Sequence, residues 1–148
     1  MEIEVRKLNG KNEMLAHIDL LRELYPTLEE SDYSRQLDEM LPHNYFQVGA
    51  FDDDRCMGIS GVWIGNKLWC GKYLEIDHIV IRNEARSEGI GKTLVDFLKK
   101  LAEEEQCISI GLDSFTFNHQ SHKFFFREGF EIKGFHFVHV LNESKFKA

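Results

Sequence analysis

Proline is almost missing from this 148-residue chain: only Pro26 and Pro42 occur, too isolated to make a proline-rich linker. Cysteine is nearly as scarce. Cys56, Cys70 and Cys107 are odd in number and widely spaced, which excludes a disulfide framework and a zinc pattern and suits a reducing cytoplasm. No apolar run approaches the ~20 residues of a membrane span, so no membrane role is expected. The opening MEIEVRKLNG lacks the apolar core of a signal peptide. Positive charge is also short, with 18 Lys and Arg against 25 Asp and Glu; the net charge of −7 argues against nucleic acid as a partner and suits a cationic substrate. There is no repeat and no low-complexity tract.

What is present reads as one domain over residues 1–148. The 43% hydrophobic and 29% charged content is that of a folded soluble protein, long enough to bury roughly 70% of its unfolded surface. The stretch EIEVRKL alternates as a first strand. NEMLAHIDLLRELY sets Leu15, Ile18, Leu21, Leu24 and Tyr25 on one helix face, and this helix stops before Pro26. Thr27 followed by Glu30 resembles a capping box opening a second helix that runs to Pro42. NYFQVGAF and RCMGISGVWI, joined at Asp52-Asp53-Asp54, read as a hairpin, and Gly65-Asn66 as a further turn. WCGKYLEIDHIVI follows as a long strand whose alternation sets Tyr73, Glu75, Asp77, Ile79 and Ile81 on one side and His78 on the other. Ile90, Leu94, Val95, Phe97, Leu98, Leu101 and Ala102 then recur at helical spacing. CISIGLD is a strand, HQSHKFFFRE a short helix, and FEIKGFHFVHVL an alternating last strand. The order predicts an α/β (α+β) domain with a central mixed, twisted sheet of six to seven strands and about four flanking helices.

Between the long strand and the periodic helix lies a glycine-bearing loop. The first N–H groups of a helix have no intrahelical acceptor and carry about half a positive charge, so the position is suited to an anion. Gly89 and Gly91 allow a bulky group close to the backbone, and Arg86 and Lys92 add charge. A plain glycine turn satisfies the same spacing. Two nucleotide motifs fail on counting: a Walker A loop needs glycine where Arg86 stands, and the dinucleotide fingerprint needs it at Leu94.

The pattern that fits is R-x-x-G-x-G, at Arg86-Ser87-Glu88-Gly89-Ile90-Gly91, which resembles the pyrophosphate loop of the GNAT N-acetyltransferase superfamily. The preceding LEIDHIVI resembles that superfamily's fourth strand. NHQSHKFFFREGF resembles its second signature at Asn118, Phe124, Gly129 and Phe130, with Ser121 in place of alanine and Phe125 in place of tyrosine. The likeness is close from Tyr73 to about Val140, and within the superfamily it is similar to small bacterial acetyltransferases of undefined substrate.

The resemblance implies acetyl-CoA as donor and no metal. Its pyrophosphate falls on Arg86, Ser87, Glu88, Gly89, Ile90, Gly91 and Lys92, and its pantetheine on the backbone of Ile79, Val80 and Ile81. It also implies sequential transfer to a primary amine, from a small molecule or a protein, without a covalent enzyme intermediate. An amine with a pKa near 10.4 must lose a proton before it attacks, and Glu75 and Asp77, eleven and nine residues before Arg86, are the candidate bases; a merely solvated pair is the plain alternative. Asn118 is a pantetheine contact or simply the cap of the helix at His119. Phe125 stands where the family's tyrosine protonates the leaving sulfur. Tyr25, Tyr33 and Glu29 lie where the family builds its acceptor pocket. The rival is a non-catalytic acetyl-CoA or CoA-binding sensor or scaffold, which Phe125 favours. The sequence admits a homodimer.

Overall fold

Period-two alternation of apolar residues builds five strands, β1 (Ile3–Lys7), β2 (Tyr45–Asp52), β3 (Arg55–Lys67), β4 (Gly71–Ile81) and β5 (Ser109–Leu112), hydrogen-bonded in that order in one sheet. The first three junctions are antiparallel and β4–β5 is parallel, so the sheet is mixed. A parallel neighbour requires a crossover, which the helix between β4 and β5 supplies. The structure is a computed structural model and describes residues 2–147. It divides into two compact units, Met1–Leu112 and Asp113–Ala148. The first holds the sheet with α1 (Gly10–Ala16), α2 (Ile18–Leu21), α3 (Glu30–Met40) and α4 (Ile90–Glu104); the second holds α5 (His119–Arg127).

Several sequence expectations change. Five strands and five α-helices are present among the described residues, where six to seven strands and about four helices were expected. The missing strand is FEIKGFHFVHVL, which forms no ladder despite its alternation, because a strand needs a paired neighbour and none is formed here. The first expected helix is two, broken at His17, whose backbone leaves the helical region and whose ring meets Phe51 edge-on at 5.8 Å. The capping box does not form. The Leu28 N–H bonds the Tyr25 carbonyl in a turn, and α3 starts at Glu30 after an extended Glu29 without a side-chain cap. Gly65 and Asn66 lie inside β3 rather than in a turn. A Cβ on Gly65 would fall 2.4 Å from the Tyr73 hydroxyl, so this glycine makes room for a cross-strand ring.

The largest correction lies in β4. Gly61 pairs with His78 but the next residue, Val62, pairs with Ile76, so Asp77 is an extra, bulged residue. Alternation therefore reverses across it. Glu75 and His78, opposite Trp63 and Gly61, share one face, while Ile79 and Ile81, opposite Ser60 and Gly58, move to the other. The first face packs under α1–α3, where Met14, Leu20, Leu21, Tyr33, Leu37, Tyr45, Phe51, Ile59 and Val80 form one buried cluster. The second carries α4 through Ile90, Leu94, Val95 and Leu98. A Cβ added to Gly58 would meet Ile81 at 2.8 Å and Leu94 at 3.1 Å, which seats the helix against the β3–β4 ladder.

This packing predicts that Leu94→Ala, at a position with no solvent exposure, lowers unfolding free energy by about 2–5 kcal/mol. Leu68→Ala, at a fully exposed turn position, should change it by no more than about 0.5 kcal/mol. Urea unfolding of the two variants checks the contrast; equal effects would mean that α4 does not rest on the sheet.

Candidate active site

The ladder between β4 and β5 stops early. Tyr73 to Ile76 pair with Ser109 to Leu112, and from Asp77 to Ile81 no strand of the described residues lies on that side of β4. Backbone groups alternate along a strand. The Arg82 N–H bonds the Met57 carbonyl of β3, so Val80 also turns its backbone toward β3, while Ile79 and Ile81 present theirs to the open edge. The Ile81 carbonyl accepts from Arg86 Nε at 3.4 Å. Val80 puts its side chain into the core.

The open edge leads directly into the loop. A short 3-10 turn, Asn83–Ala85, is followed by two residues of positive φ, Ser87 at 68° and Gly89 at 82°. The second is natural for glycine and a Cβ there would meet nothing within 4 Å; the first costs a non-glycine residue about 1–2 kcal/mol. Strain of this kind, held between a buried Ala85 and a buried Ile90, marks a loop whose backbone path matters. Gly89 is the N-cap of α4 and no side chain caps it, so the N–H groups of Ile90 and Gly91 begin the helix without intrahelical acceptors. The Thr93 N–H and hydroxyl both bond the Gly89 carbonyl at 3.0 Å, closing the first turn. Arg86 lies 3.9 Å from Glu23, and Lys92 pairs with Asp96 at 2.9 Å along the helix. Glu88 is exposed on the loop.

Asp77 stands where the open edge starts, and Glu75 two residues before it, still inside the β5 ladder. Glu75 is half-buried and its Oε2 lies over Gly111 of β5, 3.3 Å from where a Cβ would be. Asp77 is exposed, and its charge reaches two phenols. Burial raises the Tyr25 hydroxyl above its ordinary pKa and Asp77 adds to this; Tyr45 is raised still further, again by burial first.

Behind Asp77 runs a buried polar chain that sequence reasoning missed. The Gly61 N–H donates to His78 Nδ1 at 3.3 Å, which leaves the ring proton on Nε2, 3.0 Å from the Tyr45 oxygen. The Gln47 amide donates to Tyr45 at 2.9 Å and to Tyr33 of α3 at 2.7 Å. Its own Oε1 has no partner among the described residues. A side chain on Gly61 would sit 2.3 Å from His78 Nε2, so glycine there is what lets the ring and the phenol meet. That glycine, inside an apolar strand, was the available signal. Burial holds His78 well below the ordinary imidazole pKa, with Asp77 opposing in part.

In the second unit, Asn118 Oδ1 accepts from the Ser121 N–H at 3.2 Å and caps α5, the plainer of its two sequence readings. Phe125 is buried edge-on against Phe124 and Phe130, with ring centroids at 5.0 and 5.4 Å. His122 Nε2 donates to the Phe115 carbonyl at 2.8 Å.

The sequence model of the acetyltransferase (GNAT) family matches residues 14–130. No curated protein matches the chain in sequence. Among solved structures, a GNAT family acetyltransferase of Staphylococcus aureus is 24% identical, with 95% of this chain and 100% of that chain covered and a TM-score of 0.75. The aminoglycoside N-acetyltransferase AAC(6')-Iy, solved with the bisubstrate analogue CoA-S-monomethyl-acetylneamine, is 18% identical over 96% of this chain and 99% of its own, with a TM-score of 0.81. A protein of Bacillus halodurans C-125 described as a transcriptional regulator is 19% identical over 95% and 100%, with a TM-score of 0.80. At these identities the solved structures establish a shared fold.

The polar chain has a pH signature. An unfolded imidazole takes up a proton near pH 6.5, whereas the folded His78 ring resists it. Its contribution to stability is thus complete above about pH 6.5 and is lost as pH falls below that. His17, also lowered by burial, acts in the same direction. His78→Gln should therefore reduce, without abolishing, the fall in unfolding free energy between about pH 7 and 5. Denaturant titrations across that range measure it, and an unchanged slope would place His78 in contact with solvent.

Proposed function

Because the chain belongs to the acetyltransferase (GNAT) family, we propose that its two units act as one domain, residues 1–148, that transfers acetyl from acetyl-CoA to a primary amine by direct attack on the thioester. The observation that carries this reading is the open edge of β4, which begins at Asp77, two residues past the paired Glu75, and leads to the α4 N-terminus. Charge, backbone donors and a base candidate thus follow one another along a single path. The pyrophosphate is held at Arg86, Ser87, Gly89, Ile90, Gly91 and Lys92, mainly by backbone N–H groups aided by the helix dipole. The N–H groups of Ile79 and Ile81 hold the pantetheine and stabilise the carbonyl oxygen as negative charge develops on it. Asp77, next to Tyr25, or Glu75 takes the amine's proton, directly or through water. The acetyl carbon–sulfur bond breaks as the carbon–nitrogen bond forms. Phe125 has no hydroxyl to protonate the departing thiolate, so that proton comes from water, and with a thiol pKa near 8.5 the sulfur leaves without an enzyme acid. The acceptor is an amine small enough, or extended enough, to reach Asp77 beside Tyr25; an acidic, exposed carboxylate suits its charge.

Two expected outcomes test the reading. Gly91→Asp adds bulk and negative charge at the first turn of α4. Calorimetry should find acetyl-CoA bound by the parent at about micromolar strength, near −8 kcal/mol, and binding largely lost in the variant. Absence of binding by folded parent, or equal binding by both, contradicts the site. Asp77→Asn or Glu75→Gln, whichever removes the base, should lower turnover about 10²–10⁴-fold with an active amine while acetyl-CoA affinity barely moves. If the parent binds acetyl-CoA but acetylates nothing in an amine panel, the non-catalytic sensor, which Phe125 favours, replaces the enzyme.

A further inference from the structure

The apolar pattern of β4 does not fix its bulge. Beyond Asp77 the strand reads Ile79-Val80-Ile81, apolar at every position, and both faces of the sheet are covered, one by α1–α3 and the other by α4. Register is set by patterning only where a slip would carry apolar side chains into water. Here a slip by one residue, with Asp77 taken back into the ladder opposite Gly61, exchanges Ile79 and Ile81 for Val80 and leaves apolar side chains on both faces. It would nevertheless change the open edge. Backbone groups of Val80 that face β3 would turn away from it, and those of Ile79 and Ile81 would turn toward it.

What separates the two registers is polar. Ser60 has no solvent exposure and donates its hydroxyl to the His78 carbonyl at 2.9 Å; the Gly61 carbonyl is farther, at 3.5 Å. The His78 ring takes the Gly61 N–H at 3.3 Å and reaches the Tyr45 hydroxyl at 3.0 Å. Main chain and side chain of the residue after the bulge are thus held separately, the first by Ser60. After a slip His78 would stand opposite Ser60 with its carbonyl turned away from β3, beyond the hydroxyl, and a buried donor would lose its acceptor.

We propose that Ser60 is a positioning residue: its hydroxyl selects the bulged register of β4, and so decides that Ile79 and Ile81, rather than His78 and Val80, present their N–H groups along the open edge. The proposal deepens the acetyl-CoA assignment and rests on it, because these are the N–H groups given to pantetheine. A one-residue slip moves the row of donors by about 3.4 Å against the loop at Arg86 to Gly91, so a cofactor held at its pyrophosphate would meet them out of step. Every group involved lies in the first unit, Met1–Leu112.

The test is residue-resolved amide exchange by NMR, with calorimetry, on the whole chain and on Ser60→Ala. In the parent the Val80 amide should exchange slowly, as should that of Leu74, which is paired on both sides. In Ser60→Ala, Val80 should exchange at least about 10-fold faster while Leu74 is unchanged. CoA should bind Ser60→Ala about 5–30-fold more weakly than the parent, whereas 3′-phosphoadenosine 5′-diphosphate, which has the pyrophosphate but no pantetheine, should bind both alike. Ser60→Cys, close in size but a weak donor, should show the same changes at smaller amplitude. If either Val80 exchange or CoA affinity is unchanged in Ser60→Ala, the role of Ser60 is overturned while the cofactor site stands. Equal acceleration at Val80 and Leu74, or equal loss of both ligands, makes Ser60 an ordinary packing residue and also overturns it. A parent that binds no CoA overturns the acetyl-CoA assignment and this proposal with it. If Ser60→Ala fails to fold, Ser60→Cys decides by the same two measurements.

Discussion

One extra residue in β4 governs the candidate site. With Asp77 bulged between the pairs Gly61–His78 and Val62–Ile76, the strand bends and its face alternation reverses. Three consequences come together at that point. The β5 ladder ends at Ile76, so the following backbone has an unpaired edge. Glu75 and His78 come onto one face, and the charge of Asp77 between them reaches Tyr25 and Tyr45. The residues beyond, Ile79 and Ile81, are sent to the face that carries α4.

The loop after β4 depends on α4 for its position. A helix N-terminus attracts an anion only weakly, about 0.3–1 kcal/mol at an exposed site, so its value lies in being held at a fixed place. Leu94 and Leu98, fully buried, hold it; each contributes on the order of 1.5–3 kcal/mol by leaving water. That anchoring allows Ser87 to keep its positive φ and Gly89 to end the loop. Arg86 is exposed and bound to the Ile81 carbonyl, so its charge is moderated by solvent.

The chain of Gly61, His78, Tyr45, Gln47 and Tyr33 crosses β4, β3 and β2 to reach α3. Apolar packing alone tolerates small shifts of α3 over the sheet, whereas hydrogen bonds in a low dielectric do not. The chain therefore fixes the relation between the helix face and the strand that carries Asp77. It also keeps His78 neutral, with Nδ1 committed as an acceptor and unable to serve as a proton acceptor for substrate. The unpartnered Gln47 oxygen is the one cost visible in this arrangement, about 1–3 kcal/mol.

Local pattern alone determined much of this protein. The period of Ile90 to Ala102 made α4, the Asp52–Asp54 turn made the β2–β3 hairpin, and Arg86 to Gly91 identified the loop and the family, because each rests on residues adjacent in the chain or one helical turn apart. What only the tertiary structure decided were relations between distant residues. Asp77 is bulged because of how β3 pairs with it, which no alternation within β4 reports. Gly65 looked like a turn because its reason, the Tyr73 ring, comes from the next strand. Thr27 and Glu30 had the spacing of a cap, but a turn between Tyr25 and Leu28 took the chain elsewhere. Residues 130–141 have every side chain a strand needs, yet a ladder requires a neighbouring backbone, and that lies outside the stretch itself.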